Sequence, residues 1–563
     1  MVCDMTVLRW RVRHFISLLI PMLVFLSVSS VEIAGLRSRL PGLGNRFVGE
    51  ERARFAAIAQ NLFRCGVYGL RDGSASPAQR GVLWSLALAG GARVLGSPEA
   101  ASRALSAVCG LILIVMIWRL ARFLFPFPPF VVFTAASVGL VPGLTGEVLR
   151  GGPGVLAAVL TVGALWSYLF TLRGGAHRFS MLPAFLSAWA GWLHPVLAGL
   201  WVVMGLHALI PLGTPRWSLR HRLLFLVEGS LVVALVMAPL FLWNAWHWHV
   251  PWLEEPGSAV PAAAFETGTG GALIQAWRVA ARGDYVRILA GWFTGGALAG
   301  FVPVMCFLAG LLLLVGLGVR SDPERHISVL LGLLILVLPA VAAALTPFLA
   351  PSASDEMLLP LQPFVAVVAA FGLFRLPFVL ERAYRRWKPG LPGGMGFRVW
   401  WCVVGFLLGV SWVSYGWRAE SERAAEWATV LGRADRIRTL LEQRHLTGGV
   451  IATDVPGLLY CAGLGERGLA CVTGRSDPIF LACGRKTSET YWECVFSRCR
   501  SVPAAVVVLW SEPSKRDTDW SAFGVSRLDD ADVPPGSTVL IFSGVSAGKN
   551  AAAGSGNPPV VSP

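Results

Sequence analysis

Residues 102–123 read SRALSAVCGLILIVMIWRLARF, a largely apolar run with arginines near both ends. About 20 consecutive apolar residues form a helix long enough to cross the hydrocarbon core of a bilayer. Comparable runs recur along the chain as far as residue 416. We therefore predict about 11 transmembrane helices, near residues 14–31, 102–123, 128–145, 153–172, 180–194, 196–212, 223–245, 292–318, 327–348, 358–380 and 398–416.

The composition also indicates a polytopic α-helical membrane protein. Hydrophobic residues make up 55% of the 563 residues and charged residues only 14%, whereas a soluble domain is about a quarter charged. The 23 tryptophans are typical of aromatic belts at membrane interfaces. The net charge of +15 is spread over the loops. This pattern argues for contact with lipid headgroups and against nucleic-acid binding, because no basic recognition helix accompanies it.

The distribution of lysine and arginine predicts the topology. Most of these residues lie in alternate loops, which the positive-inside rule places in the cytoplasm. Loops 32–101 and 246–291, the short loops near 147 and 352, and all residues after about 417 are then outside. Loop 32–101 also contains arginines, but it is too long for the rule to govern it. Arg9, Arg11 and Arg13 precede the first apolar run, which we interpret as a signal anchor.

The character of the chain changes after residue 416. Residues 418–444 have the pattern of a charged amphipathic helix, and strand-like runs follow at 449–453, 469–473, 504–510 and 538–543. We predict a transmembrane domain over 1–416 and a small extracytoplasmic α/β domain over 417–544. Residues 545–563 are rich in Gly, Ala, Ser and Pro, which predicts a disordered tail.

The first outer loop contains a short amphipathic segment, residues 50–63, EERARFAAIAQNLF. Phe55, Ile58 and Leu62 recur at helical spacing, which predicts a helix lying in the membrane surface. Glu51 lies at the start of this helix, four residues before Phe55. It could simply complement the helix dipole, or it could ligate a cation or take a proton from a hydroxyl.

Further polar residues lie on the predicted outer side. Glu147 and Arg150 are three residues apart and would share a helix face, either as an interfacial ion pair or as part of a site. His194 precedes Pro195, which ends or kinks a helix. This histidine could be a buried core residue or a contact for phosphate.

Two outer loops carry residues that could contact a sugar. Trp248 and Trp252 lie in one aromatic-rich loop, where they could stack on sugar rings or form part of an interfacial belt. Asp355 and Glu356 lie in another, just before the span that begins near residue 358.

Three stretches together resemble the beginning of the GT-C superfamily: GEERARFAAIAQNLFRCGVYGL at 49–70, DGSASPAQRGVLWSLALA at 72–89 and SRALSAVCGLILIVMIWRLARFLF at 102–125. GT-C proteins are membrane glycosyltransferases that use polyprenyl-phosphate-linked sugars. The nearest in character are the protein mannosyltransferases and the aminoarabinose transferase of lipid A. The order and spacing of the motifs match over roughly residues 45–175.

The resemblance implies roles for individual residues. Aligned through 53–55, Glu51 takes the position of the family's catalytic Asp and Arg52 that of a second acid. A shifted alignment makes Glu50 and Glu51 the acidic pair. Arg80 lies near the basic residue that contacts the lipid phosphate in the family, and Glu147 falls where the family has a further acidic residue.

These observations predict a glycosyltransferase that moves a sugar from a polyprenyl-phosphate donor to a hydroxyl of a glycolipid, polysaccharide or protein. It would act at the outer face of a bacterial inner membrane. Glu51 is the first candidate for the catalytic base and Glu147 the second. The candidate ligands of the donor phosphate are Arg52, Arg80, Arg150 and His194, and the candidate acceptor or sugar contacts are Trp248, Trp252, Asp355 and Glu356.

No cofactor is certain from the sequence. A divalent metal, Mg²⁺ or Mn²⁺, could bind at Glu51 and neutralise the leaving phosphate. The alternative function is a non-enzymatic translocase or binding protein for lipid-linked sugars, built on the same scaffold.

Overall fold

The structure is a computed structural model that describes a defined set of residues. These are 2–39, 50–70, 81–174, 181–210, 218–248, 298, 300–317, 329–334, 337–338, 340–341, 359–387, 395–446, 450–464, 469–471, 488–501, 504–510, 520–528, 533–534 and 537–542. The predicted disordered tail, 545–563, lies outside them.

Helices dominate the chain as far as residue 443. They are α1 (Val2–Arg39), α2 (Glu50–Cys65), α3 (Val82–Leu95), α4 (Pro98–Leu124), α5 (Pro128–Val138), α6 (Pro142–Arg150), α7 (Gly154–Gly174), α8 (Leu182–Leu193), α9 (Leu200–Leu209), α10 (Leu219–Trp248), α11 (Phe301–Leu317), α12 (Gln362–Trp387) and α13 (Met395–Gln443). Short 3₁₀ turns, Pro195–Gly199 and Leu359–Leu361, precede α9 and α12.

Among the described residues, six helices are long and apolar enough to cross a membrane. Their apolar spans are Phe15–Glu32, Pro98–Leu124, Gly154–Leu172, Leu219–His247, Leu359–Tyr384 and Val399–Gln443. The chain is a multi-pass integral membrane protein, as its composition predicts. Shorter apolar helices pack between these spans. One of them is α3, which is too short to cross a membrane.

The predicted spans 180–194 and 196–212 are shorter apolar helices in the structure, and the predicted span 128–145 is divided. Residues 128–145 form two short helices, α5 and α6, instead of one long helix. The break lies at Gly139–Val141, where Val141 adopts an extended conformation before Pro142. Proline favours the first turn of a helix and disfavours helical geometry in the residue before it. This break turns α6 into a separate element that carries Glu147.

Local sequence signals define the start of α4. The Ser97 side chain accepts a hydrogen bond from the backbone N–H of Ala100 at 3.2 Å, Pro98 occupies the first turn, and Glu99 adds a negative charge there. This combination caps the exposed N–H groups and complements the helix dipole. It fixes Glu99 at one end of a membrane-spanning helix.

The helices enclose one extended apolar core. Aromatic rings from α5, α12 and α13 meet within it, including Phe130, Phe374 and Trp401. Helices α11 and α12 touch through their backbones, because a Cβ at Gly310 would overlap the carbonyl of Val368. Close approach through small residues is a usual way to pack helices in membranes.

The C-terminal domain is α/β, as predicted. It contains β1 (Val450–Thr453), α14 (Pro456–Cys461), β2 (Leu469–Cys471), α15 (Ser488–Ser501), β3 (Ala504–Leu509), β4 (Val525–Arg527) and β5 (Thr538–Phe542). The sheet order is β2-β1-β3-β5-β4. Strands β2, β1 and β3 are parallel, and β5 and β4 are antiparallel to their neighbours.

Helices cover both faces of this sheet. Ile437 and Leu441 of α13 and Leu459 of α14 pack with Val506 and Val508 on one face. On the other face, α15 contributes Phe496 and Cys499 to a second cluster. Cys494, also in α15, is disulfide-bonded.

Helix α13 joins the two parts of the chain without a break. It has 49 residues and so extends about 74 Å at 1.5 Å per residue. The domain boundary predicted at 416/417 falls inside this helix instead of in a flexible linker. The membrane span and the first layer of the C-terminal domain are therefore one rigid element.

Candidate functional site

Glu147 lies at the centre of a buried group of charged side chains where α2 and α6 meet. Its Oε1 accepts a hydrogen bond from the guanidinium of Arg52, in the first turn of α2. Arg150 Nη2 lies 3.4 Å from the same oxygen. The side chains of Arg52, Glu147 and Arg150 are only 12%, 6% and 9% exposed. Two cations and one anion therefore share a pocket with little access to water.

The backbone between α6 and α7 is shaped around this carboxylate. Helix α6 ends at Arg150 and is capped by Gly151, whose φ of 68° lies in the left-handed region that favours glycine. The backbone N–H of Gly154, at the start of α7, donates to Glu147 Oε2 at 3.3 Å. A Cβ at Gly152 would overlap that oxygen and lie 2.7 Å from Arg52 Nε. The glycines thus allow the chain to wrap closely around Glu147.

Two serines of α4 hold this glycine-rich turn in place. Ser102 Oγ donates to the carbonyl of Gly151 at 2.5 Å, and Ser106 Oγ donates to the carbonyl of Gly152 at 3.2 Å. Both serines are fully buried. A membrane-spanning helix therefore sets the position of the turn.

The surroundings of Glu147 favour its ionised form. Burial alone would raise its pKa, but the Arg52 and Arg150 guanidinium groups outweigh that effect. The hydrogen bonds from Arg52 and from the Gly154 N–H act in the same direction, so the pKa lies below its ordinary value. The carboxylate stays charged at neutral pH.

Helix α2 presents its predicted apolar stripe to the protein. Phe55 and Ile58 are 2% and 1% exposed and join two different apolar clusters. Phe55 occupies the space beside Gly81, where a Cβ would overlap its ring. Near the end of the helix, Asn61 Nδ2 donates to the carbonyl of Gly69 at 2.9 Å and holds the chain that follows α2. Helix α2 therefore packs against the protein along its apolar stripe.

Arg54 is a further cation in this first turn. Its Nε is buried and has no hydrogen-bond partner among the described residues, and its charge acts on Tyr68. Burial raises the pKa of Tyr68 to about 12, against the opposing effects of Arg54 and of a hydrogen bond with Ser85. In the sequence, Arg54 serves only to align the family motif. Its spacing from Arg52 was the only signal that could have identified it.

His194 lies where α8 ends. It is 7% exposed, and its backbone carbonyl accepts the N–H of Leu197 at 2.9 Å. The carbonyl of the preceding Leu193 accepts the N–H of Gly81, also at 2.9 Å. The turn at His194 therefore lies beside the residue that directly follows Arg80 in the chain.

The structure places the remaining predicted residues only in part. Glu51 lies in the first turn of α2 and Trp248 is the last residue of α10, but their side chains are outside the described set. Four others lie wholly outside it: Arg80, Trp252, Asp355 and Glu356. Leu359, three residues after Glu356, reaches Gly154, because a Cβ at Gly154 would overlap its side chain. The structure thus brings Arg52, Glu147 and Arg150 together.

The described residues do not form a metal-ligand set. No group of three or more His, Cys, Asp or Glu side chains with suitable geometry occurs among them. Glu147 already lies against two guanidinium groups, whose charge repels a divalent cation. Glu51, the possible metal ligand named from the sequence, has its side chain outside the described residues.

Comparison with solved structures finds the same fold in ArnT from Cupriavidus metallidurans. The ArnT structure bound to undecaprenyl phosphate has a TM-score of 0.52 at 13% identity, covering 92% of this chain and 97% of that chain. The apo structure gives 0.50 at the same identity and coverage. The archaeal oligosaccharyltransferase AglB from Archaeoglobus fulgidus, in complex with an inhibitory peptide and a dolichol-phosphate, gives 0.48 at 15%, covering 88% of this chain and 69% of that chain.

Sequence comparison adds nothing to this result: no protein-family model and no curated protein matches the chain. At such low identity the structural likeness concerns the fold. It shows that this chain has the fold of ArnT.

Proposed function

We propose that this chain is a membrane glycosyltransferase that takes a sugar from a polyprenyl-phosphate donor and transfers it to an acceptor hydroxyl. One observation carries the proposal: Arg52 and Arg150 converge on a single carboxylate, Glu147, in a buried site between α2 and α6. The fold agrees, since ArnT, which shares it, is a GT-C glycosyltransferase with a structure bound to undecaprenyl phosphate.

The charges of the site suit a phosphate. Two guanidinium groups and one carboxylate leave a net charge of +1. A guanidinium offers paired N–H donors that match phosphate oxygens. In a site so little exposed to water, attraction to an anion is stronger than at the protein surface.

The reaction needs one bond formed and one bond broken. The acceptor oxygen attacks the anomeric carbon of the sugar from the side opposite the phosphate, and the bond between that carbon and the phosphate oxygen breaks. The electron pair of the broken bond leaves with the lipid phosphate, which gains a negative charge, and the acceptor proton passes to a carboxylate. Arginines fixed beside the phosphate stabilise the charge that develops on it.

The two candidate carboxylates then have different tasks. Glu147 has a lowered pKa, so it is a poorer proton acceptor than an ordinary glutamate. It instead orients Arg52 and Arg150. Glu51, adjacent to Arg52 at the start of α2, takes the acceptor proton. This order agrees with the sequence, which makes Glu51 the first candidate base and Glu147 the second.

Further cations complete the proposed donor site. The hydrogen bond between Leu193 and Gly81 links the His194 turn to the segment that contains Arg80. We assign His194 and Arg80 as ligands of the donor phosphate. The site faces the outer side of a bacterial inner membrane in this proposal, as the loop charges predict. The acceptor is a hydroxyl of a glycan, lipid or protein.

The test is sugar transfer by purified protein in nanodiscs, with a panel of synthetic polyprenyl-phosphate hexoses and pentoses as donors. Loss of a general base typically costs about 10²–10⁴ in rate, so Glu51→Gln is expected to fall by that factor. Arg52→Ala should lose about 10²–10³. The matched control is Arg418→Ala, which removes an arginine from an exposed pair with Glu422.

Each outcome has a clear meaning. Full turnover by Glu51→Gln would refute the assignment of the base. Wild-type protein that binds undecaprenyl phosphate through Arg52 but transfers no sugar from any donor would replace the enzyme with a binding or translocating protein.

A further inference from the structure

The C-terminal domain rests directly on α2, the helix that carries Arg52. Ala53 and Ala56 of α2 are completely buried against Leu431 of α13 and Cys461 of α14. Alanine at both positions allows the helices to approach closely. The domain therefore covers the α2 face next to the first turn.

Tyr460 of α14 is the side chain that connects this contact to the rest of the membrane domain. It packs against the small cluster with Ala53 and Ala56, and also against a second cluster that includes Ile58 of α2 and Met237 of α10. Its hydroxyl donates to Glu99 Oε1, at the first turn of α4, over 3.4 Å. Tyr460 thus contacts α4 through its hydroxyl, and its ring packs against clusters to which α2 and α10 contribute.

The hydroxyl of Tyr460 remains a hydrogen-bond donor over a wide pH range. Burial, followed by the charge of Glu99, raises the pKa of the phenol above its ordinary value. The 3.4 Å separation is long for such a bond, so the ring contributes more to the contact than the hydroxyl does.

The other sides of α2 are also fixed. Phe55 and Ala59 belong to the main apolar core together with Trp84 and Leu88 of α3. Arg52 and Ala56 are four residues apart and share a helix face. A shift or rotation of α2 that opened the contact at Ala56 would therefore move Arg52 as well.

We propose that Tyr460 is a positioning residue, through which the C-terminal domain clamps α2 and keeps Arg52 against Glu147. The domain then acts on the donor site by holding its first helix in place, whatever other contacts it makes. The effect on catalysis rests on the proposed function, whereas the effect on the order of α2 does not.

The first measurement is hydrogen–deuterium exchange of the full chain in nanodiscs. Tyr460→Ala should lose amide protection over residues 50–65, and Tyr460→Phe should lose much less because it keeps the ring. Tyr415→Ala is the matched control, because Tyr415 lies on α13 and its side chain is exposed. Unchanged protection of α2 in Tyr460→Ala, with the sheet of the C-terminal domain still protected, would overturn the clamp.

The second measurement is turnover with the polyprenyl-phosphate donor that gives the highest wild-type rate. A displacement of about 1 Å in a binding group can cost up to 10²-fold in rate, so Tyr460→Ala is expected to lose up to about 100-fold in kcat/KM. The loss should include a lower kcat, because Arg52 is assigned to the charge that develops on the leaving phosphate, and Tyr460→Phe should restore most of it. An unchanged kcat in Tyr460→Ala would contradict a role through Arg52.

A milder variant keeps the test open if Tyr460→Ala does not fold. Glu99→Gln removes the charge of the group that accepts the hydrogen bond from the Tyr460 hydroxyl, and it leaves the packing of the ring intact. It should therefore match Tyr460→Phe in both measurements. If amide protection of α2 depends on Tyr460 but the wild-type protein transfers no sugar, the clamp stands and the proposed function is refuted. Loosened α2 with unchanged kcat/KM would refute the link to the site.

Discussion

The substitution Glu147→Gln tests the central ion-pair arrangement most directly. The amide keeps the shape of the side chain but removes the charge that faces Arg52 and Arg150, whose side chains are 12% and 9% exposed. Removing one member of a buried ion pair costs about 3–5 kcal/mol. Because glutamine can still accept one hydrogen bond, we expect the lower end of that range, about 3 kcal/mol.

The same substitution at an exposed pair provides the control. Arg418 Nε lies 3.0 Å from Glu422 Oε1, but these side chains are 81% and 63% exposed. An exposed pair of this spacing on a helix contributes only about 0.3–0.5 kcal/mol. Unfolding in mixed micelles of denaturing and native detergents, followed by circular dichroism, would compare Glu147→Gln with Glu422→Gln. Binding of undecaprenyl phosphate should weaken only in the former.

A specific result would refute this reasoning. If Glu147→Gln destabilises the protein no more than the 0.5 kcal/mol or so expected at the exposed pair, and lipid phosphate binding is unchanged, the pair neither stabilises the fold nor orients Arg52.

Three further predictions follow from the geometry. Gly151→Ala should destabilise more than Gly96→Ala: both glycines have positive φ, which costs other residues about 1–2 kcal/mol, but only at 151 would the new Cβ overlap a serine hydroxyl. Equal unfolding midpoints would contradict this. Because the pKa of Glu147 is lowered, its stabilisation should be complete above the unfolded value of about 4.3 and be lost as pH falls through the folded value. Glu147→Gln should flatten the stability profile there, and an unaltered profile would count against the lowered pKa. Asp454→Ala should cost about 1.5–3 kcal/mol, the usual value for a hydrogen bond to a charged group, because its carboxylate accepts the backbone N–H at the end of β3; a neutral result in a thermal melt would contradict this.

Much of the fold could be predicted because the signals are local. A transmembrane span depends on the composition of about 20 consecutive residues, and the observed spans lie where the apolar runs do. The strands of the C-terminal domain also lie within the predicted runs, apart from β4, whose sequence Val-Ser-Arg contains a single apolar residue and so gives no strand pattern. The break between α5 and α6 was missed because the run remains apolar through it, although Gly139 and Pro142 were available as signals.

The site was less predictable because its key contact is not local. The Glu147–Arg150 pair follows from their spacing of three residues, and it is present in the structure. The pair between Arg52 and Glu147 joins residues 95 positions apart. No spacing rule connects them, so the sequence could not indicate that Glu147 would be held by arginines on both sides. The sequence did place Arg52 and Glu147 on the same side of the membrane, which is the condition for their meeting.

The unbroken course of α13 from Met395 to Gln443 has a consequence for insertions and deletions. Each residue turns an α-helix by about 100° and lengthens it by 1.5 Å. One residue added near Ser421 would rotate the whole C-terminal domain away from α2, whereas seven residues would nearly restore its direction but raise it by about 10.5 Å. The stretch of α13 between residue 416, where the predicted span ends, and Trp427 is therefore constrained in helical phase as well as in length. Substitutions there should be tolerated far more readily than any change in the number of residues.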